Sequence, residues 1–106
     1  MGTPPTEKPP APPGIDAPES IAASVVAYTT PWCPYCISAV RMLKKLGVDF
    51  VQVDVQGNSA ARQWLVQRTG RSTVPQIFVH GDAIGGYDDL AAMHASGAFE
   101  RALQRA

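Results

Sequence analysis

Two cysteines, three positions apart, stand between a β-branched run and a helix that opens on proline. The run is residues 24–29 (SVVAYT), which reads as a buried strand. The helix is residues 34–46. Pro34 suits its first position, where a missing N–H costs nothing, and Gly47 suits its stop. Cys33 is thereby placed at a helix N-terminus, before unpaired N–H groups and the positive end of the dipole. Both favour a thiolate, the form in which sulfur attacks. Cys36 lies one turn further in, more buried and closer to a thiol, within reach of a mixed disulfide formed on Cys33. Pro34 stiffens the loop, and Tyr35 offers an amphipathic wall beside the sulfur. Taken alone, the pair also fits two packed small hydrophobes.

The rest of the chain supplies a sheet for that strand and helix. Ala39, Val40, Leu43 and Leu46 make one helix face, with Arg41, Lys44 and Lys45 outside. Residues 50–55 (FVQVDV) alternate with period two and read as a second strand. Asn58 is a candidate N-cap for a helix to Thr69, which Gly70 ends. Residues 76–79 and 83–85 read as two strands around a Gly81-Asp82 turn. Asp88 and Asp89 start another helix, and residues 98–105 form a last helical segment. The order β-α-β-α-β-β-α predicts an α/β fold. The first two strands are parallel through a right-handed crossover, and the last two form a hairpin. The result is a four-stranded mixed sheet flanked by helices.

At 106 residues one domain is expected. Residues 21–106 are assigned to it. Residues 1–20 carry seven prolines and read as a disordered tail of polyproline character, a solvating extension or a docking peptide. That segment holds three acids against one lysine, and the remainder holds eight Lys/Arg against six Asp/Glu. So weak a field argues against nucleic acid or an anionic membrane, and it suits a small anionic ligand at one site. No run approaches the roughly 20 apolar residues of a membrane span. Two cysteines closing so small a loop would staple almost nothing, which excludes a disulfide scaffold. His80 and His94 lack zinc-finger spacing, so no metal is expected. No export signal or arginine-rich transit segment is visible, and the expected compartment is the cytoplasm.

Further motifs narrow the chemistry. In Thr73-Val74-Pro75 a proline abuts a strand, which marks an edge or a bend. Were the Val74–Pro75 bond cis, Val74 would present its backbone to an extended, peptide-like substrate, although sequence statistics favour trans. Gly85-Gly86-Tyr87-Asp88-Asp89 combines close backbone approach with a helix start. Such a start can hold a carboxylate on free N–H groups and an ammonium on an aspartate, or it is plain N-capping. Arg62 and Arg71 flank the second helix and are candidates to pair a carboxylate, although singly each also reads as a solvated charge. Trp64, Leu65 and the methionines read as core.

Cys33-Pro34-Tyr35-Cys36, Thr73-Val74-Pro75-Gln76-Ile77-Phe78, Ile84-Gly85-Gly86 and Asp88-Asp89-Leu90 together resemble the dithiol glutaredoxins, especially the short bacterial kind. The resemblance spans roughly residues 24–105. It implies a thioredoxin-like fold, a cis bond before Pro75, and thiol–disulfide exchange with glutathione as co-substrate and no tightly bound cofactor. Cys33 is the implied nucleophile and Cys36 the resolving thiol. Tyr35 lines the cysteinyl part of glutathione, and Thr73 and Val74 supply backbone pairing ahead of Pro75. Gly86, Asp88 and Asp89 face the γ-glutamyl end, and Arg62 falls near the glycyl carboxylate. The implied partners are disulfide-containing or glutathionylated client proteins, served by a monomer. One departure is Thr30, where many relatives carry a lysine: either Arg71 or Arg62 compensates, or glutathione binds more weakly or the Cys33 thiolate is less favoured. Tyr87 is a milder one, at a position where a smaller residue is common. Two alternatives stay beside this reading. One is an iron–sulfur carrier in which two chains share a cluster through Cys33 and glutathione, disfavoured by Pro34 and Cys36. The other is a reductant of the same shape served by a thioredoxin reductase, which Thr30 leaves open.

Overall fold

The computed structural model describes residues 8–105. Strand β1 (Val25–Thr29) leads through α1 (Pro34–Leu46) to β2 (Phe50–Asp54). Helix α2 (Ser59–Thr69) follows, then β3 (Gln76–Val79), β4 (Asp82–Gly85), α3 (Tyr87–Ser96) and α4 (Ala98–Gln104). The sheet order is β2-β1-β3-β4. β1 runs parallel to β2 and antiparallel to β3, and β3 and β4 form a hairpin. This is the thioredoxin-like arrangement expected from the sequence, with element ends shifted by one or two residues.

Burial follows strand position. Every residue of the central strands β1 and β3 is buried, as sheet covered on both faces requires. The edge strands β2 and β4 are not fully covered. Alternation along β1 and β3 splits the core in two. Val25, Ala27, Ile77 and Val79 meet Ala39 and Leu43 of α1, Leu90 of α3 and Phe99 of α4. Val26, Tyr28 and Phe78 meet Ala61, Trp64 and Leu65 of α2 on the opposite face. Trp64 and Phe78 each approach Tyr28 edge-on, with ring centroids 5.5 Å apart.

Residues 8–20 differ from the disordered tail expected for residues 1–20. They lie as a strap against the α2 face, where Ala11, Ile15, Ala17 and Ile21 pack on the second cluster and Pro18 is buried. Trp64 Nε1 donates to Pro9 O at 3.1 Å, and the Tyr28 hydroxyl donates to Asp16 O at 2.6 Å. Arg68 donates to both Glu19 carboxylate oxygens and to Gly81 O, with its guanidinium 5.1 Å from the Phe78 ring centre. Prolines remove N–H donors, but their carbonyls remain acceptors. Here two strap carbonyls, those of Pro9 and Asp16, satisfy two aromatic donors that would otherwise be buried unpaired. The expectation for residues 1–7, Pro4 and Pro5 included, lies outside the described residues.

Candidate active site

The site forms at the carboxyl end of β1, where α1 begins. Cys33 is the N-cap of α1 and Pro34 its first helical residue. Cys33 Sγ accepts the Cys36 N–H at 3.2 Å. That bond and the helix end both stabilise negative charge on the sulfur. When protonated, the same sulfur donates to Val74 O at 3.5 Å. Both thiols are free, Cys33 partly exposed and Cys36 buried. Burial, and then the hydrogen bond with Cys33, push the Cys36 thiol up to about 11, while hydrogen bonds with Thr30 pull the other way. One sulfur therefore sits at the surface before a helix N-terminus, and the other is held as a protonated reserve.

The loop between α2 and β3 supplies the second wall. The Val74–Pro75 bond is cis. Val74 packs against the α2-side cluster. Thr69 Oγ1 accepts the Arg71 N–H at 3.1 Å, Gln76 Nε2 donates to Arg71 O at 2.7 Å, and Arg62 donates to Ser72 O at 3.1 Å. These bonds hang the loop from α2 and present residues 73–75 towards Cys33.

The third wall is the start of α3. Asp89 accepts the Gly86 N–H at 2.9 Å and an Arg71 guanidinium N–H at 2.8 Å. The Gly86 amide and then Arg71 hold its carboxyl below the usual range. Gly85, at a φ of 110°, leaves the space this pair occupies, since a Cβ there would collide with the Asp89 carboxylate. Gly86 lies beside Pro75 O, which an added Cβ would only touch, at 3.4 Å. Asp88 is exposed and makes no ion pair among the described residues.

Together the walls enclose a groove of about 260 Å³. Of the residues singled out from the sequence, Tyr35, Thr73, Val74, Pro75, Gly86, Asp88 and Asp89 all line it. Arg62 does not. It reaches the loop at Ser72 instead. Arg71 does line the groove, tied to Asp89, and so does Tyr87. The sequence signal for Arg71 was its place flanking the second helix, but its partner lies 18 positions on. Thr30 lies outside this groove, on the opposite flank of Cys36. Arg71 is thus committed to the α3 end and is not a local substitute for a cation at position 30. Such a groove suits an extended, zwitterionic, peptide-like thiol. It offers backbone groups in the middle, helix N–H groups and a free carboxylate at one end, and a sulfur alongside.

Comparison with known proteins follows the same lines. The glutaredoxin family model matches residues 25–84. Glutaredoxin 3 of Escherichia coli is 44% identical over 82 residues, covering 77% of this chain and 99% of the relative. Glutaredoxin from Brucella melitensis superposes with a TM-score of 0.69 at 36% identity, covering 77% of this chain and 89% of that one. A buckwheat glutaredoxin–glutathione complex superposes at 0.73 and 27% identity, covering 76% of each chain.

Proposed function

Because this chain belongs to the glutaredoxin family, and so to the thiol–disulfide oxidoreductases, we propose that it is a glutathione-dependent enzyme. In this reading it reduces glutathione mixed disulfides and protein disulfides in a reducing, cytosolic compartment, as a monomer. One observation carries the reading: Cys33 Sγ sits on a helix N-terminus at the edge of a groove built by residues 73–75 and 86–89. A superposable buckwheat relative is described as a complex with glutathione, which supports the same ligand here.

In the proposed reaction the Cys33 thiolate attacks the glutathione sulfur of a mixed disulfide. The sulfur–sulfur bond to the client breaks, the client leaves as a thiolate that takes a proton, and glutathione remains on Cys33. A second glutathione thiolate then attacks the glutathione sulfur on Cys33. Oxidised glutathione leaves and the Cys33 thiolate returns. For a protein disulfide, Cys36 loses its proton and attacks the Cys33–client bond, leaving a Cys33–Cys36 disulfide and a reduced client. The roles within the groove follow from what each group has free. Tyr35 covers the cysteinyl part, and the Thr73 and Val74 backbones pair with the peptide. The Gly86–Asp89 helix start receives the γ-glutamyl carboxylate, and Asp88 takes the ammonium. Asp89 is the positioning residue, since Gly86 and Arg71 already hold its carboxylate. Arg62, outside the groove and already donating to Ser72 O, reaches the glycyl carboxylate from the loop's side.

The test is turnover of a mixed disulfide of glutathione with a small thiol. Cys33→Ser abolishes it. Cys36→Ser keeps much of it but stops reduction of a protein disulfide at the mixed-disulfide stage. Full activity in Cys33→Ser would refute the assignment.

A further inference from the structure

Cys33 and Cys36 have a second flank. Between α1 and the edge strand β2 runs a cleft of about 300 Å³, reaching Cys36 and walled by Thr30, Ile37, Arg41, Lys44 and Gln52. None of these residues lines the groove on the other side. Val40, expected in the core face of α1, borders this cleft. Its sides are part apolar and part cationic. Ile37 stays 48% exposed, and Trp32 stands out beside Cys33 at 84%.

The charge is one-sided. Arg41 and Lys44 are exposed and form no ion pair among the described residues. No Asp or Glu occurs from Thr30 to Val48. The next acids are on or beside β2, and both are occupied. Asp49 accepts the Ser24 N–H at 3.2 Å, and Asp54 accepts the Gln56 N–H at 2.8 Å. Gln52, between them, is tied to the Thr29 hydroxyl at 2.8 Å.

We propose that this cleft docks the client polypeptide of a glutathionylated protein and favours clients with a carboxylate a few residues from the reacting cysteine. The proposal rests on the glutathione reading above. A glutathionylated client has two halves, and one groove cannot hold both. With glutathione against residues 73–75, the client chain has the α1–β2 flank. Along α1, Arg41 and Lys44 stand roughly 12 and 17 Å beyond Cys33 at about 1.5 Å per residue. Extended chain covers that distance in roughly three to five residues. A carboxylate at that spacing meets both cations, while Ile37 and Trp32 cover apolar neighbours of the client cysteine. The chemical step is unchanged. Cys33 takes the glutathione, the client sulfur leaves as a thiolate, and the cleft changes only which client is held during the exchange.

The experiment uses two synthetic peptides, each with one glutathionylated cysteine. They differ only in bearing Glu or Lys three to five residues on either side. Two exposed ion pairs predict kcat/KM roughly five- to tenfold higher for the Glu peptide at low salt. The gap closes near a molar salt concentration, where the screening length falls to about 3 Å. Arg41→Glu with Lys44→Glu reverses the preference, and Arg41→Gln with Lys44→Gln, milder for the helix, brings the peptides level. Equal rates in the native protein, or a preference that survives in both variant pairs, overturn the proposal. Failure of the native protein on the small-thiol mixed disulfide instead overturns the glutathione reading, so the two failures are distinct.

Discussion

The two faces of the sheet are built differently, and each supplies half of the site. The first is covered by α1, α3 and α4, whose buried Ala39, Leu43, Leu90 and Phe99 close over β1 and β3. It presents Cys33 and Cys36 at the start of α1 and the aspartates at the start of α3. The second is covered by the single helix α2 and finished by the strap of residues 8–21. It holds the loop carrying Thr73, Val74 and Pro75. The proposed nucleophile therefore depends on packing within the glutaredoxin module. The proposed ligand groove borders a cluster that Val74 shares with a segment preceding the matched residues 25–84. The groove lies at the seam, so damage to one face should read out in reactivity and damage to the other in binding.

Trp64→Ala tests this most severely. It empties the ring's place against Tyr28 and frees the strap from its Pro9 anchor. The expected loss is about 4 kcal/mol in urea unfolding. In the surviving folded fraction KM for glutathione rises while the alkylation rate of Cys33 holds. An equal change in both quantities would dissolve the distinction between the faces.

Tyr28→Phe is smaller and more discriminating. The buried phenol, its ionisation pushed upward by burial, gives its proton to Asp16 O. Losing that bond costs about 1 kcal/mol in the full chain. In a chain beginning at Ile21 the hydroxyl has no strap carbonyl, so the same change becomes neutral or stabilising. A double-mutant cycle between truncation and Tyr28→Phe measures the coupling. Additivity would show that the strap does not engage Tyr28 in solution.

Glu19 gives the smallest effect. The Arg68 hydrogen bonds hold its carboxyl below the ordinary range. Its contribution is complete above the unfolded pKa of about 4.3 and fades as the pH falls through the lower folded value. With the Glu19 side chain 44% exposed, screening limits this to about 0.5–1 kcal/mol. Acid should loosen the strap before the first face, seen as earlier hydrogen exchange at the Trp64 indole. Glu19→Gln should remove the pH dependence of that opening.

Much of this was legible in the chain because it is local. Strand and helix periods, Pro34 at a helix start, Gly47 and Gly70 at helix ends, and the three site motifs each arise from residues close in sequence. The pairing order β2-β1-β3-β4 is not local, nor is the union of Cys33 with Val74, 41 positions apart. The different surroundings of the two aspartates were also hidden. Only folding brings Arg71 to Asp89 and leaves Asp88 without an ion pair among the described residues.

The sequence by itself determined the helix that carries Cys33 and Cys36 and the module around it. Helix caps, turn glycines and apolar periods act over a few residues and need no distant partner. Tertiary structure alone decided that the proline-rich stretch from Lys8 to Ser20 is a working part of the fold. Its prolines keep it out of any α-helix or sheet, leaving one short 3-10 turn at Pro18–Ser20, a composition that reads as disorder. Its carbonyls nevertheless meet Tyr28 and Trp64 across 12 and 55 positions of chain, and Glu19 meets Arg68 across 49. A backbone with few donors of its own can still satisfy buried side chains, and that match exists only once the sheet has assembled.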